Sequence, residues 1–70
     1  MNSYTLMVES AAKRIDSHSK KYLASMLSEY SRCFVTNQIN QRLYTSKYRS
    51  AEEKQVLQHC QRLLMDGWQP

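Results

Sequence analysis

The stretch IDSHSK, residues 15–20, decides how this chain divides into helices. Asp16, Ser17 and Ser19 can all return hydrogen bonds to nearby backbone and serve as N-caps, so the stretch reads as a turn and not as helix interior. Upstream of it, Tyr4, Met7, Val8, Ala11, Ala12 and Ile15 share one side of a 3.6-residue wheel, with Glu9, Lys13 and Asp16 opposite. That pattern predicts a first helix over about residues 4–16, with Asn2 or Ser3 as its N-cap.

Downstream, Tyr22, Leu23, Met26, Leu27 and Tyr30 form an apolar stripe that Phe34, Val35, Ile39 and Leu43 continue, which predicts a long central helix over about residues 19–45. Residues 20–44 would span about 37 Å at 1.5 Å per residue, whereas a compact chain of this length has a radius of gyration of about 11 Å. Either the helix breaks near the β-branched pair Val35 and Thr36, or a second copy covers the overhang. Self-association is the expectation, because a chain this short buries only about 60 to 65% of the surface it exposes when unfolded.

The last helix, over about residues 51–66, is marked at both ends. In SAEE, residues 50–53, Ser50 can accept from the Glu53 amide while Glu53 reaches back to Ser50, as in a capping box. In MDGWQP, residues 65–70, Gly67 stands at C′ and Trp68 at C″, ready to fold back on Leu63. Between them Val56, Leu57, Cys60, Leu63 and Leu64 make a continuous stripe, with Leu57, Cys60 and Leu64 expected in the core.

Gly67 is the only glycine and Pro70 the only proline, and no strand-length run alternates apolar with polar residues. The expected fold is therefore all-α: a single three-helix domain over residues 1–70 with a long central helix, self-associating. Ten basic and six acidic residues give a net charge of +4, but the two signs are interspersed, so the pull toward anionic partners is modest.

No apolar run exceeds three residues, so no membrane-spanning segment is expected. The start MNSYTLMVES lacks the basic and apolar regions of a signal peptide, and Cys33 and Cys60 have no CxxC spacing. A cytoplasmic protein with free thiols is the expectation.

Catalysis finds little support. The chain has two histidines, His18 and His59, but no Gly-rich phosphate loop, no GxSxG, no HExxH and no acid pair with an obvious shared cleft. No enzymatic activity and no cofactor are expected. His18, Cys33, His59 and Cys60 are metal-ligating types, yet neighbouring His59 and Cys60 point about 100° apart on a helix, so no metal site is expected either.

Binding is the remaining class, and residues 34–50, FVTNQINQRLYTSKYRS, hold its candidates. With Phe34 at zero on the wheel, Asn37, Asn40, Gln41, Tyr44 and Tyr48 fall between about 240° and 340°, opposite Val35, Ile39 and Leu43. Arg42 falls near the apolar stripe, at about 80°. An amide and tyrosine face with few charges resembles a protein interface in composition, so Asn37, Gln41, Tyr44 and Tyr48 are expected to contact another protein, as a small regulator, inhibitor or accessory subunit would. The alternative is a small basic protein that holds DNA or RNA through Arg42, Lys47, Arg49, Lys20 and Lys21, since cations neutralise phosphates and tyrosines stack on bases. A third reading is an assembly subunit whose only partner is itself.

Overall fold

No turn forms at residues 15–20. In the computed structural model, which describes residues 3–70 and their side chains from Ser10 onward, helix α1 runs unbroken over Ser3–Glu29. The stripe positions Tyr4, Met7 and Val8 and the cap candidates Asn2 and Ser3 lie outside those described side chains.

The polar groups of IDSHSK keep the helix going instead of ending it. Asp16 pairs with Lys20 one turn on at 3.0 Å, in the favourable order of acid before base. The Ser19 hydroxyl donates to Ile15 O at 2.7 Å within the helix, with Val56 O 3.2 Å away as a second acceptor, and Ser19 is fully buried. Its hydroxyl is thus satisfied first within its own helix, and the second contact, with the last helix, is one that no local reading of the stretch could anticipate.

The chain reverses at Tyr30 and Ser31. Tyr30 N closes α1 by donating to Met26 O at 2.9 Å, and Ser31 adopts extended angles (φ −67°, ψ 158°) while its hydroxyl accepts from Phe34 N at 3.2 Å. Helix α2 then spans Arg32–Tyr44, which corrects the continuous helix expected over about residues 19–45: the break falls at Tyr30–Ser31, four residues before the Val35–Thr36 pair offered as an alternative. Val35 could not have marked it, because its side chain is fully buried in the first turns of α2. The long helix is accordingly the first, with 27 residues, and the central one has 13.

Ser46, at φ 55°, ends α2 in a left-handed turn: Lys47 N donates to Arg42 O at 2.8 Å and Ser46 N to Leu43 O at 3.3 Å, a Schellman pattern without glycine. Helix α3 spans Ala51–Met65, with Ser50 accepting from Glu53 N at 3.1 Å as expected. The return half of the capping box is not made; Glu53 Oε2 accepts from Arg49 N at 3.1 Å instead. Gly67, at φ 80°, closes α3 with Trp68 N donating to Leu63 O at 2.9 Å.

Cross-helix bonds fix the directions. Arg14 pairs with Glu52, Asp16 with His59 and Ser19 with Val56, so α3 runs alongside α1 in the same sense. Arg42 meets Tyr22 and Glu53 while Arg32 meets Leu64 and Trp68, so α2 runs opposite to both. The result is an up-down-up three-helix fold. Leu23, Val35, Ile39, Leu57, Cys60 and Leu64 form its core, including the three positions expected of α3. The long α1 draws the shape out to 42 × 26 × 17 Å with a radius of gyration of 13.1 Å. Among the described residues no helix is long and apolar enough to cross a membrane.

Candidate interaction face

Helix α2 buries Val35 and Ile39 against α1 and α3 and leaves its opposite side bare. Cys33, Phe34, Asn37, Asn40, Gln41 and Tyr44 are all exposed on it. Tyr44 is the extreme case, at 92% exposure. Phe34, expected to continue the apolar stripe, is 43% exposed, and its ring stacks on that of Tyr30 with centroids 4.7 Å apart.

Both arginines of α2 are turned inward. Arg32 Nη1 donates to Trp68 O at 2.7 Å and Nη2 to Leu64 O at 2.9 Å, so its cation sits at the carbonyl end of α3, where the helix dipole favours positive charge. Arg42 is salt-bridged to Glu53 through Nη2, donates from Nη1 to the Tyr22 hydroxyl at 3.2 Å, and reaches Lys47 O from Nε at 3.3 Å. One guanidinium therefore ties α1, α2, the following loop and α3 together. As a consequence, the exposed side of α2 carries no Asp, Glu, Lys or Arg.

The amides on this face are lightly engaged. Asn40 Oδ1 accepts from Gln61 Nε2 at 2.7 Å, which joins the face to α3 across a shallow groove lined by Asn40, Gln41, Leu43, Tyr44 and Gln61. The groove continues past Thr36 and Leu64 to Met65, which is 83% exposed. Asn37 Nδ2 lies 3.9 Å from Cys33 Sγ.

Tyr48 departs from the expected set. The wheel that placed it beside Tyr44 assumes continuous helix, and the left-handed Ser46 ends that register. Tyr48 is half-buried against the core, with Lys54 Nζ 5.7 Å from its ring centroid. The structure brings Asn37, Gln41 and Tyr44 onto one face and replaces Tyr48 with Phe34, whose apolar character had concealed its exposure.

The five basic candidates do not form one free set. Lys20 is half-buried and paired with Asp16, and Arg42 is occupied as described, whereas Lys21, Lys47 and Arg49 are exposed with no ion-pair partner among the described residues.

The metal-ligating types are also scattered. His59 Nε2 lies 2.8 Å from Asp16 Oδ1, Cys60 is fully buried with Sγ 3.6 Å from Ser19 O, and Cys33 and His18 are exposed. Burial pushes the Cys60 thiol up to about 11, which keeps it protonated and unreactive. The His59 and Lys20 hydrogen bonds hold the Asp16 carboxyl below its ordinary value.

Compared with known proteins, the chain matches no family model, no curated protein and no solved structure.

Proposed function

We propose that this protein acts by binding another protein through the outer face of α2, as a small non-enzymatic regulator, inhibitor or accessory subunit. One observation carries the reading. In a chain of net charge +4, the exposed side of α2 holds no ionised group, because Arg32 and Arg42 are both bonded inward. A solvated helix surface has no need of this, since long charged side chains cover such surfaces at little cost. A face that is desolvated on docking does need it, because every charge buried there must find a partner. The aromatics at its two ends, Phe34 and Tyr44, are the anchor type that dominates protein interfaces. The nucleic-acid reading is weaker, since two of its five cations already have acidic partners. The unpaired thiols Cys33 and Cys60 fit the cytoplasm as the place of action.

A photo-crosslinking residue at Gln41, compared with one at Gln55 on α3, tests the proposal in lysate of the source cells. Protein adducts that form at position 41, survive nuclease and are missing at position 55 support it. Adducts that nuclease destroys, or equal yields at both positions, overturn it.

A further inference from the structure

We propose that the partner on this face is a second copy of the same chain, with the two α2 helices packed antiparallel about a two-fold axis at the level of Ile39. The proposal rests on the reading of the outer face of α2 as a protein-binding surface and names a second copy as its occupant, so that any further protein partner competes with the dimer for this face.

The spacing comes first. Phe34, Asn37, Gln41 and Tyr44 follow one another at intervals of three, four and three residues, and all four are exposed on the same side of α2. That spacing places the four side chains in one stripe along the helix, as the contact positions of a helix–helix seam are placed, with amides in the middle and aromatics at the ends. At its start the ring of Tyr30, from the end of α1, stacks on Phe34 and widens the aromatic end of the stripe.

The order of residue types points to the occupant. Read in either direction, the seam runs aromatic, amide, amide, aromatic, and it is centred on position 39. A two-fold axis there sets Phe34 against the second copy's Tyr44 and Asn37 against the second copy's Gln41. An isologous interface requires this self-complementarity, in which residue i meets j and j meets i. Aromatic meets aromatic, and each amide, carrying both a donor and an acceptor, meets an amide it can satisfy. A parallel two-fold arrangement would instead set each residue against its own copy, and the mixed-variant experiment below separates the two orientations.

Charge and area agree with this. Two identical basic chains repel wherever their cations meet, and the outer side of α2 offers a contact free of ionised groups. Tyr44 at 92% exposure and Phe34 at 43% offer about 270 Å² per copy, taking about 200 Å² for an aromatic side chain. Doubled, the two aromatics supply about 540 Å², roughly half of the 1,000 Å² at which specific association begins, and the amides between them add to it. An interface of that size belongs to the weak, reversible class.

Sedimentation velocity over a concentration series tests the proposal, using the full chain in reductant with Cys33→Ser to prevent a disulfide-linked pair. The expected result is a mass that rises from 8.3 kDa toward twice that value with concentration. Asn37→Glu alone and Gln41→Lys alone should each raise the midpoint concentration by at least about tenfold, because each buries an unpaired charge. An equimolar mixture of the two variants should recover association, since antiparallel packing sets the carboxylate at position 37 against the ammonium at position 41. Tyr44→Ala, at a site that touches little of its own domain, repeats the loss without risk to the fold. A mixture that stays dissociated overturns the antiparallel pairing. A wild-type chain that stays monomeric throughout overturns the second copy as occupant, while the protein-binding reading then stands or falls on the crosslinks at position 41.

Discussion

Arg42 and Glu53 are joined side chain to side chain across the α2–α3 interface, and the same guanidinium donates to the Tyr22 hydroxyl of α1. Both members of the pair are about three-tenths exposed, so the bridge works in a partly desolvated setting where a charged hydrogen bond contributes more than at the surface. Arg42→Ala should therefore cost about 2 kcal/mol of folding stability. Lys47→Ala and Arg49→Ala, at exposed side chains, should each stay within about 0.5 kcal/mol. Urea unfolding of the three variants checks this, and equal effects would show that Arg42 is no more structural than its neighbours.

The two left-handed positions respond in opposite directions to substitution. Ser46, at φ 55°, holds a conformation that costs a residue with a Cβ about 1 kcal/mol, so Ser46→Gly should stabilise the fold by about 0.5 to 1 kcal/mol. Gly67, at φ 80°, has no atom within 4 Å of where a Cβ would stand, so Gly67→Ala should destabilise through backbone strain alone, by about 1 kcal/mol. Thermal melts of the pair give the signs directly.

These two positions also mark how far the sequence could be read. Helix α3 was legible because a capping serine with Glu53 opens it and Gly67 closes it, and its stripe correctly gave Leu57, Cys60 and Leu64 to the core. The α1–α2 reversal was not legible. Ser31 is one of nine serines, and the residue three positions on is Phe34, where a capping box would show Glu or Gln. The turn read at Asp16 and Ser19 failed because the groups that make those residues good caps also reach across to α3. Their partners, His59 and Val56, lie 43 and 37 residues away in the chain. On α2 the wheel found Asn37, Gln41 and Tyr44 but ran past the end of the helix to Tyr48, since a serine in the left-handed region carries no signal comparable to glycine.

Asp16 sets an acid limb of stability. Its hydrogen bonds to His59 and Lys20 lower its pKa in the folded state below the ordinary 3.8, so the folded form favours the ionised carboxylate. The contribution is fully present above 3.8 and is lost as pH falls through the lower folded value. In Asp16→Asn the amide cannot ionise. The stability gap between wild type and variant should therefore be widest near neutral pH and narrow progressively below 3.8, as denaturant midpoints at several pH values would show. A gap independent of pH would mean that the carboxylate acts only through its shape.

Tyr44 and Tyr48, four residues apart and alike in chemistry, should separate cleanly into binding and folding roles. Tyr44 is 92% exposed, so Tyr44→Ala should change stability by less than about 0.5 kcal/mol. As an anchor at the end of the α2 seam, the same truncation should weaken association by about 2 kcal/mol or more. Tyr48 packs against the core beneath Lys54, so Tyr48→Ala should lower stability by about 1 to 3 kcal/mol. At a concentration where both variants are folded, its association should match wild type. Folding measured by urea titration and association measured by sedimentation on the same samples give the two-by-two comparison. If Tyr48→Ala abolishes association while remaining fully folded, the binding surface includes the loop after α2 and the seam is drawn in the wrong place. If Tyr44→Ala unfolds the chain, the outer side of α2 is part of the core of an obligate assembly, and no separate, stable monomer exists.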